Sequence, residues 1–583
     1  MSIILDSMND IRKIESYRGT APLMLIIIIS ISSLLSCKTK QQILANDSAL
    51  DVLEKLTNDP LFKKKKQLSE EEFKFWYHMD YQKDTVPGIS LSKLYDSGLL
   101  DNPKSKVVVA VLDTKLDIHH EDLQQQIWIN DDEIPDNDKD DDENGYVDDI
   151  NGWDFLSNSN GEYVKYQSTE ALRIIKKYRE KYEDIDTSAI DSYNKDEYEL
   201  YQRAIQNYNE SVSMYSGAVS FMDNLMTRYE QADQIFDKLL PSESYSISAI
   251  DSVLLLNSDS TTMSHGEFLK YTIQEDLGID NLETYKELYS GILNNSLNID
   301  NEYRTMLCDD LRNIKDAYYG GNIVYGDVPF QHSIAVTGVI GANRANNIGI
   351  KGFSDNIEIM PIVMVASGDE EDKDIAVAIR YAVDNGAKII NMSWGKEFSL
   401  NEKWVGKAIK YAADHNVLIV HGSGNESSNN DNKTFYPNDN MAGVSSVDNF
   451  IEVGASTYTI DSTLIAHFSN YGQEAVDVFA PGVKIYTTEI NDNYGFSEGT
   501  SLAAPLVSGL AALLWTHFPN LTALQIKEII LKSGNSYDVP VVIIDSNGEK
   551  KTVPFNSLSK TGKVINAFNA FTLAKEKYSI AKR

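Results

Sequence analysis

Four polar residues stand where apolar segments give way to loops or begin as helices: Asp113, His332, Asn425 and Ser501. Ser501 lies in Gly499-Thr500-Ser501-Leu502-Ala503-Ala504-Pro505, after a turn-rich loop (491–498) and at the start of an apolar helical pattern over 502–518. A serine in the first turn of a helix meets unpaired backbone N–H groups and the positive end of the helix dipole. Both would stabilise an alkoxide or a tetrahedral oxyanion formed there. Serine is also a preferred N-cap, so position alone does not separate a nucleophile from a cap. What a serine nucleophile needs is a base, a carboxylate that orients the base, and a donor for the oxyanion. His332 opens His332-Ser333-Ile334-Ala335-Val336-Thr337-Gly338-Val339-Ile340-Gly341-Ala342, Asp113 ends a buried apolar run, and Asn425 follows Gly422-Ser423-Gly424. Each has a plain structural alternative: a turn aspartate, a structural histidine, a turn asparagine.

The elements that must position these residues alternate in type. Continuous apolar, β-branched runs at 106–112, 357–363, 388–392, 417–421, 450–454 and 475–479 read as strands buried on both faces of a parallel sheet. Helical patterns intervene at 334–342, 372–385 and 402–416, then follow at 502–518 and 523–533. The alternation predicts an α/β fold with a doubly wound parallel sheet, whose ligands bind at the carboxyl ends of the strands. Residues 161–321 interrupt it. They are rich in Tyr, Glu, Lys, Asp and Leu, contain Pro241 as their one proline, and carry apolar residues at helical spacing. An inserted all-helical subdomain is expected there, with its tyrosines in the core and a protein partner as the further expectation.

In the chain order Asp, His, Asn, Ser, these motifs resemble those of the subtilisin-like serine peptidases. Val107-Val108-Val109-Ala110-Val111-Leu112-Asp113 resembles the family's strand ending in the catalytic Asp, and the segment from His332 its helix opening with the catalytic His. Gly424-Asn425-Glu426 resembles its oxyanion motif and Gly499 to Pro505 its nucleophile motif. The likeness covers 75–155 and 325–572 and closes on Gly562-Lys563-Val564-Ile565-Asn566-Ala567. It implies a serine endopeptidase acting through an acyl-enzyme on Ser501, with His332 as base, Asp113 as its orienting partner and Asn425 as oxyanion donor. It also implies that Ser393, Trp394 and Gly395 bind substrate and that Glu426 lines the cleft and favours a basic side chain. The implied organisation is a catalytic domain in two parts, 76–160 and 322–572, split by the 161–321 insertion and followed by a tail, 573–583. Three residues depart from the pattern: Lys115 and Ser333 stand where the family has glycine, and Ala335 where it has a second, non-catalytic histidine. A narrower substrate range or weaker activity is the expected consequence. The competing readings are a membrane-tethered protein-binding scaffold with a vestigial cleft, and an esterase using the same triad.

Charge narrows the partners. With 53 Lys and Arg against 87 Asp and Glu, the 583 residues carry a formal net charge of -34, which disfavours nucleic acid. Much of this charge is local. Asp136, Asp138, Asp140, Asp142 and Asn144 crowd one loop, and Asp140-x-Asp142-x-Asn144-Gly145 has the form of a calcium loop without the closing glutamate of an EF-hand. Ca2+ with a structural role is therefore expected, a solvated acidic loop being the alternative. The resemblance implies a second calcium site using the Asp122 and Asn346 side chains and the Ile348 and Ile350 carbonyls. Near the amino terminus, Arg12, Lys13 and Arg18 precede an apolar run over 21–36 that ends Leu34-Leu35-Ser36-Cys37. This resembles the lipobox of bacterial lipoproteins. It implies a signal peptide over 1–36, lipidation of Cys37, a tether over 37–75 and an exported, envelope-anchored protein; an uncleaved anchor or an ordinary signal is the alternative.

Overall fold

The computed structural model describes residues 68–579, apart from breaks at 187–189, 191–193, 241–244, 257–258, 275–276, 327–331, 443–446 and 545–547. The signal segment, Cys37 and most of the tether lie outside the described residues. The chain forms two compact units, one described over 166–303 and the other over 68–165 and 304–579.

The smaller unit is helical: α1 Glu170–Tyr182, α2 Lys195–Phe236, α3 Ile247–Leu256, α4 Ser260–Gln274 and α5 Ile279–Gly291. Thr169 starts α1 by accepting the Leu172 N–H on its side chain. α1, α4 and α5 pack along the long α2. One face of α2, through Met214, Tyr215, Ala218 and Met222, meets Leu282 and Tyr289, and further along Phe236 meets Ile250, Phe268 and Leu269. Tyr182, Tyr201, Tyr215 and Tyr289 are buried, so these tyrosines are core residues. The unit ends at Tyr303, upstream of the boundary that composition suggests at 321. Buried charge accounts for the difference. The Arg304 guanidinium holds Asp374 at 2.7 and 2.5 Å and Asp309 at 2.9 Å, and Lys373 also reaches Asp309 at 2.8 Å. Tyr319 donates its hydroxyl to Asp374. Residues 304–321, polar in sequence, are thus bonded into the larger unit.

That unit is built on a nine-stranded sheet. Its strands are β1 Val107–Asp113, β2 Trp153–Asp154, β3 Ile357–Val363, β4 Ile389–Met392, β5 Leu418–Gly422, β6 Phe450–Ser456, β7 Val478–Pro481, β10 Asn535–Ser536 and β13 Lys563–Val564. They lie in the order β10-β13-β7-β6-β5-β4-β1-β3-β2, all pairs parallel except β10 with β13. From β1 the chain steps outward on one side through β4, β5, β6 and β7, while on the other side β3 lies between β1 and the edge strand β2, a doubly wound α/β arrangement. β7 begins later than apolar spacing predicts, because the N–H groups of Gln473, Glu474 and Ala475 all donate to Asp431 and hold a turn there. Two hairpins lie outside this sheet, β8 Ile485–Glu489 with β9 Asn493–Ser497 and β11 Pro540–Ile544 with β12 Lys550–Pro554.

The helices of this unit are α6 Ser333–Gly341, α7 Asp372–Asp384, α8 Glu402–Asp414, α9 Thr500–His517, α10 Ala523–Ser533 and α11 Ala567–Ser579. Side chains alternate along a strand, so one face presents Ala110, Leu112, Ile390, Met392 and Ile419 to α7 and α8. Asn391, of opposite parity, accepts the Ser508 hydroxyl of α9 at 2.8 Å, which puts α9 on the other face. Every residue of α9 is buried, as expected of a helix that is apolar all round.

Candidate active site

Asp113 is the last residue of β1 and fully buried. His332 precedes α6, with Nδ1 2.8 Å from Asp113 Oδ2 and 3.0 Å from Oδ1. The backbone holds this pair in place. The N–H groups of His332 and Ser333 both donate to Thr114 Oγ1 at 3.1 Å, satisfying two of the unpaired donors of the first turn. Ser333 Oγ donates to the Lys115 carbonyl at 2.6 Å. From β8, the hydroxyls of Thr488 and Thr487 donate to the Ile334 and Ala335 carbonyls. Burial pulls the His332 imidazole down, but the charge and hydrogen bond of Asp113 outweigh it and leave it above its ordinary 6.5.

Ser501 stands in the first turn of α9. The preceding Gly499 has φ +143°, a region that side-chain-bearing residues rarely adopt. Pro505 has no N–H, so the Ser501 carbonyl four residues earlier has no helical donor. That carbonyl instead accepts the Ser393 hydroxyl at 2.9 Å, and Ser501 Oγ donates to the Ser393 carbonyl at 2.9 Å. Asn391 Nδ2 in turn donates to Ser393 Oγ. The proline of the motif thereby joins the serine turn to the segment after β4. Asn425 completes the group. Its Oδ1 accepts the Thr500 N–H and hydroxyl, which leaves Nδ2 on the Gly499 side, 3.7 Å from where a Gly499 Cβ would lie. α6 and α9 pack on one another, so the helix preceded by His332 and the helix that carries Ser501 in its first turn are neighbours.

The residues expected to bind substrate surround this turn. Ser393 is buried, Trp394 half-buried and Gly395 exposed. The Trp394 indole donates to the Leu112 carbonyl, tying the segment to the end of β1. Glu426 follows Asn425, and burial, with Glu397 adding to it, pushes its carboxyl up to about 7 against the pull of Asn470 and Lys433.

Several contributors escape sequence reasoning. Asn470 holds the 423–428 loop, accepting the N–H groups of Glu426 and Ser428 and donating to Ser423 O and Glu426 Oε2. Gly424 there has φ +103°, and a Cβ would lie 2.4 Å from Asn470 Nδ2. His421, in β5, donates from Nε2 to the Trp394 carbonyl at 2.6 Å and pairs through Nδ1 with Glu452 at 2.9 Å. Nothing in the local sequence marks these partners, which come together only across strands.

The acidic loop gathers differently from its spacing. Glu133, Asp140 and Asp142 bring carboxylate oxygens within 4.8 Å of one another, and Glu133 Oε2 is buried with no hydrogen bond in the protein. Asn144 joins this loop, its N–H donating to Asp140 and Asp142. Asp136 and Asp138 stand outside the cluster with exposed side chains, because the Asn137 and Asp138 N–H groups are fixed on Asp148. Asp122 and Asn346 do meet, but as a hydrogen bond from Asn346 Nδ2, and the second Asp122 oxygen accepts the Ile350 N–H.

Residues 290–557 match the profile of the Subtilase family. The thermophilic serine proteinase of Bacillus sp. strain AK1 is 34% identical over 241 residues, 41% of this chain and 50% of that protein. Subtilisin DY of Bacillus licheniformis is 31% identical over 221 residues, 37% of this chain and 75% of that protein. Among solved structures, a protease from Pseudoalteromonas arctica PAMC 21717 aligns with a TM-score of 0.34 and 25% identity, over 42% of this chain and 70% of that one. The chain thus spans half of the first relative and three quarters of the second.

Proposed function

The chain belongs to the subtilase family, and from that premise we infer that it is a serine endopeptidase cleaving protein or peptide substrates through an acyl-enzyme on Ser501. The observation that carries this reading is the 2.8 Å Asp113–His332 bond at the start of α6, beside the helix that carries Ser501 in its first turn. In the first step Ser501 turns from the Ser393 carbonyl and attacks the scissile carbonyl carbon, while His332 Nε2 takes the hydroxyl proton. Asp113 accepts the Nδ1–H and stabilises the imidazolium. Asn425 Nδ2 and the Ser501 N–H donate to the oxyanion, each such donor being worth about 3 kcal/mol. Collapse passes the proton from His332 to the leaving amine and leaves the ester on Ser501. Water then attacks that ester with His332 again as base, returning the carboxylate product and the free hydroxyl. This is the sequence of steps worked out generally for such triads.

Calcium fits the acidic cluster. Hard oxygen donors crowd together there and one buried carboxylate oxygen is unpaired, so Glu133, Asp140 and Asp142 would hold the ion and Asn144 would shape the loop. Its chemistry would be structural, neutralising carboxylates that otherwise repel. Export and lipid anchoring at Cys37 belong to the same reading, supported by the basic and apolar segment before that cysteine. Detergent-phase partitioning that persists in Cys37→Ser would count against the anchor.

The test is labelling of the purified protein with a fluorophosphonate, with and without calcium, beside peptide and ester hydrolysis. Labelling and peptide cleavage lost in both Ser501→Ala and His332→Ala are expected. Peptide hydrolysis surviving in Ser501→Ala overturns the assignment, and cleavage of esters alone would make the protein an esterase. Calcium loading should raise the melting temperature, and chelation leaving it unchanged would reject the metal site.

A further inference from the structure

Two of the three departures from the resembled motifs, Lys115 and Ser333, are bonded to each other. The Ser333 hydroxyl at the start of α6 donates to the Lys115 carbonyl at 2.6 Å. The Lys115 side chain then turns inward. Its ammonium lies 3.3 Å from Asp154 Oδ2 and 4.9 Å from the centre of the Tyr163 ring, with the Lys115 side chain 6% and that of Asp154 0% exposed. A buried ion pair is costly unless both charges are present and well placed, so each residue constrains the other.

The surroundings of this pair lead back to the Asp113–His332 bond. In strand register, Asp154 of β2 lies beside Val363 of β3, and Val363 lies beside Asp113 of β1. The Tyr163 hydroxyl donates to the Val365 carbonyl at 3.1 Å, and the Val365 N–H donates to the Asp113 carbonyl at 3.2 Å. From Asp113 the chain returns through Thr114, which holds the His332 N–H, to Lys115. Lys115 therefore closes a ring through Asp113, Val365 and Tyr163, with the start of α6 fastened to it at Thr114 and at the Lys115 carbonyl. The strands around it fix the partners: Asp154 exchanges both backbone hydrogen bonds with Gly321, and the Leu116 N–H donates to the Val324 carbonyl.

We propose that Lys115 is a positioning residue: anchored by Asp154 and Tyr163, it holds residues 113–115 and, through Ser333, the start of α6, and so sets the geometry between Asp113 and His332. The proposal rests on the peptidase reading for its kinetic consequence, but not for its structural one.

Two readouts test it. In the first, active sites are titrated with a fluorophosphonate and peptide hydrolysis is followed per titrated site, beside melting temperatures. Lys115→Met and Asp154→Asn should each lower kcat by roughly tenfold to a hundredfold with KM little changed, since a displaced base affects the chemical step more than binding. Packing alone would lower the melting temperature and the number of active sites while leaving kcat per site intact. A kcat per site within about twofold of the parent in both variants overturns the proposal. Should Lys115→Met fail to fold, Asp154→Asn and the double variant Lys115→Met/Asp154→Asn carry the same measurement, the double leaving no unpaired buried charge. The second readout is the low-field proton resonance of His332 Nδ1–H, recorded in Ser501→Ala protein with and without Asp154→Asn. Its displacement or broadening supports the proposal and an unmoved signal overturns it. Parent protein that takes no fluorophosphonate counts against the peptidase reading, and the resonance still decides the role of Lys115.

Discussion

Among the described residues, the larger unit holds two histidine–carboxylate pairs of nearly equal length, 2.8 Å for His332 with Asp113 and 2.9 Å for His421 with Glu452. They differ in burial and in the elements around them. The His332 side chain is 15% exposed and stands at the start of a helix packed beside the Ser501 helix. The His421 side chain is 1% exposed, and both its nitrogens are engaged, Nε2 by the Trp394 carbonyl. A carbonyl can only accept, so Nε2 carries hydrogen. The other contact then needs either a second hydrogen on Nδ1 or a protonated Glu452, and in both cases the pair is neutral overall. Burial raises the Glu452 carboxyl above its ordinary range against the pull of His421. A histidine beside a carboxylate is therefore not by itself a catalytic signature; His332 differs in its partial exposure and in its place beside the helix that carries Ser501.

Substitution should separate the pairs most sharply. His332→Ala is expected to lower peptide hydrolysis by about ten-thousand-fold or more while changing the melting temperature little. His421→Leu should do the reverse. It leaves Glu452 buried without its partner, at a cost of about 3 to 5 kcal/mol in urea unfolding, with hydrolysis per titrated site largely kept. The double variant His421→Leu/Glu452→Leu should regain part of that stability, because no buried carboxyl is stranded although the Trp394 carbonyl still loses its donor. If His421→Leu instead abolished hydrolysis in folded protein, the contrast between the pairs would collapse.

The two pairs were unequally legible in the sequence. Asp113, His332, Asn425 and Ser501 could be found because each sits at a boundary that periodicity reveals, the end of an apolar strand or the start of an apolar helix. The sheet was legible for the same reason, since strands buried on both faces are continuous apolar runs. His421 and Glu452 lie inside such runs, and their pairing depends on the register of β5 against β6, which no local pattern encodes. Asn470 and Glu133 act through folded loops, and Arg304, Asp309 and Lys373 look in sequence like solvated charge but are buried together. The acidic loop was legible as a kind of site but not in its ligands: alternating aspartates suggested Asp136 and Asp138, whereas Asp148 holds the backbone of that arm and the fold brings in Glu133.

A smaller effect concerns protonation. Asp113 holds the His332 imidazole above its ordinary 6.5, and a general base must be neutral to accept a proton. Hydrolysis should therefore rise with pH through a midpoint above 6.5, and His421→Leu should leave that limb unmoved. A limb that moved with His421 would mean that the His421–Glu452 pair, not the His332–Asp113 pair, governs the reaction.

The smallest effect sharpens the contrast among the acids. Glu452 has a histidine to share its proton, whereas burial pushes the Glu426 carboxyl up to about 7, with the neighbouring Glu397 adding to the rise. Glu426 is thus largely neutral below that pH and largely ionised above it. If Glu426 lines the cleft as the family resemblance implies, its carboxylate should favour a lysine side chain at the cleaved position only when ionised, so the kcat/KM ratio of lysyl over methionyl peptides should grow between about pH 6 and about pH 8. The gain should be roughly fivefold, equivalent to about 1 kcal/mol. Glu426→Gln should flatten the ratio without lowering hydrolysis of the methionyl peptide. A ratio that rises equally in Glu426→Gln would place the basic preference, and the ionisation behind it, on some other acid.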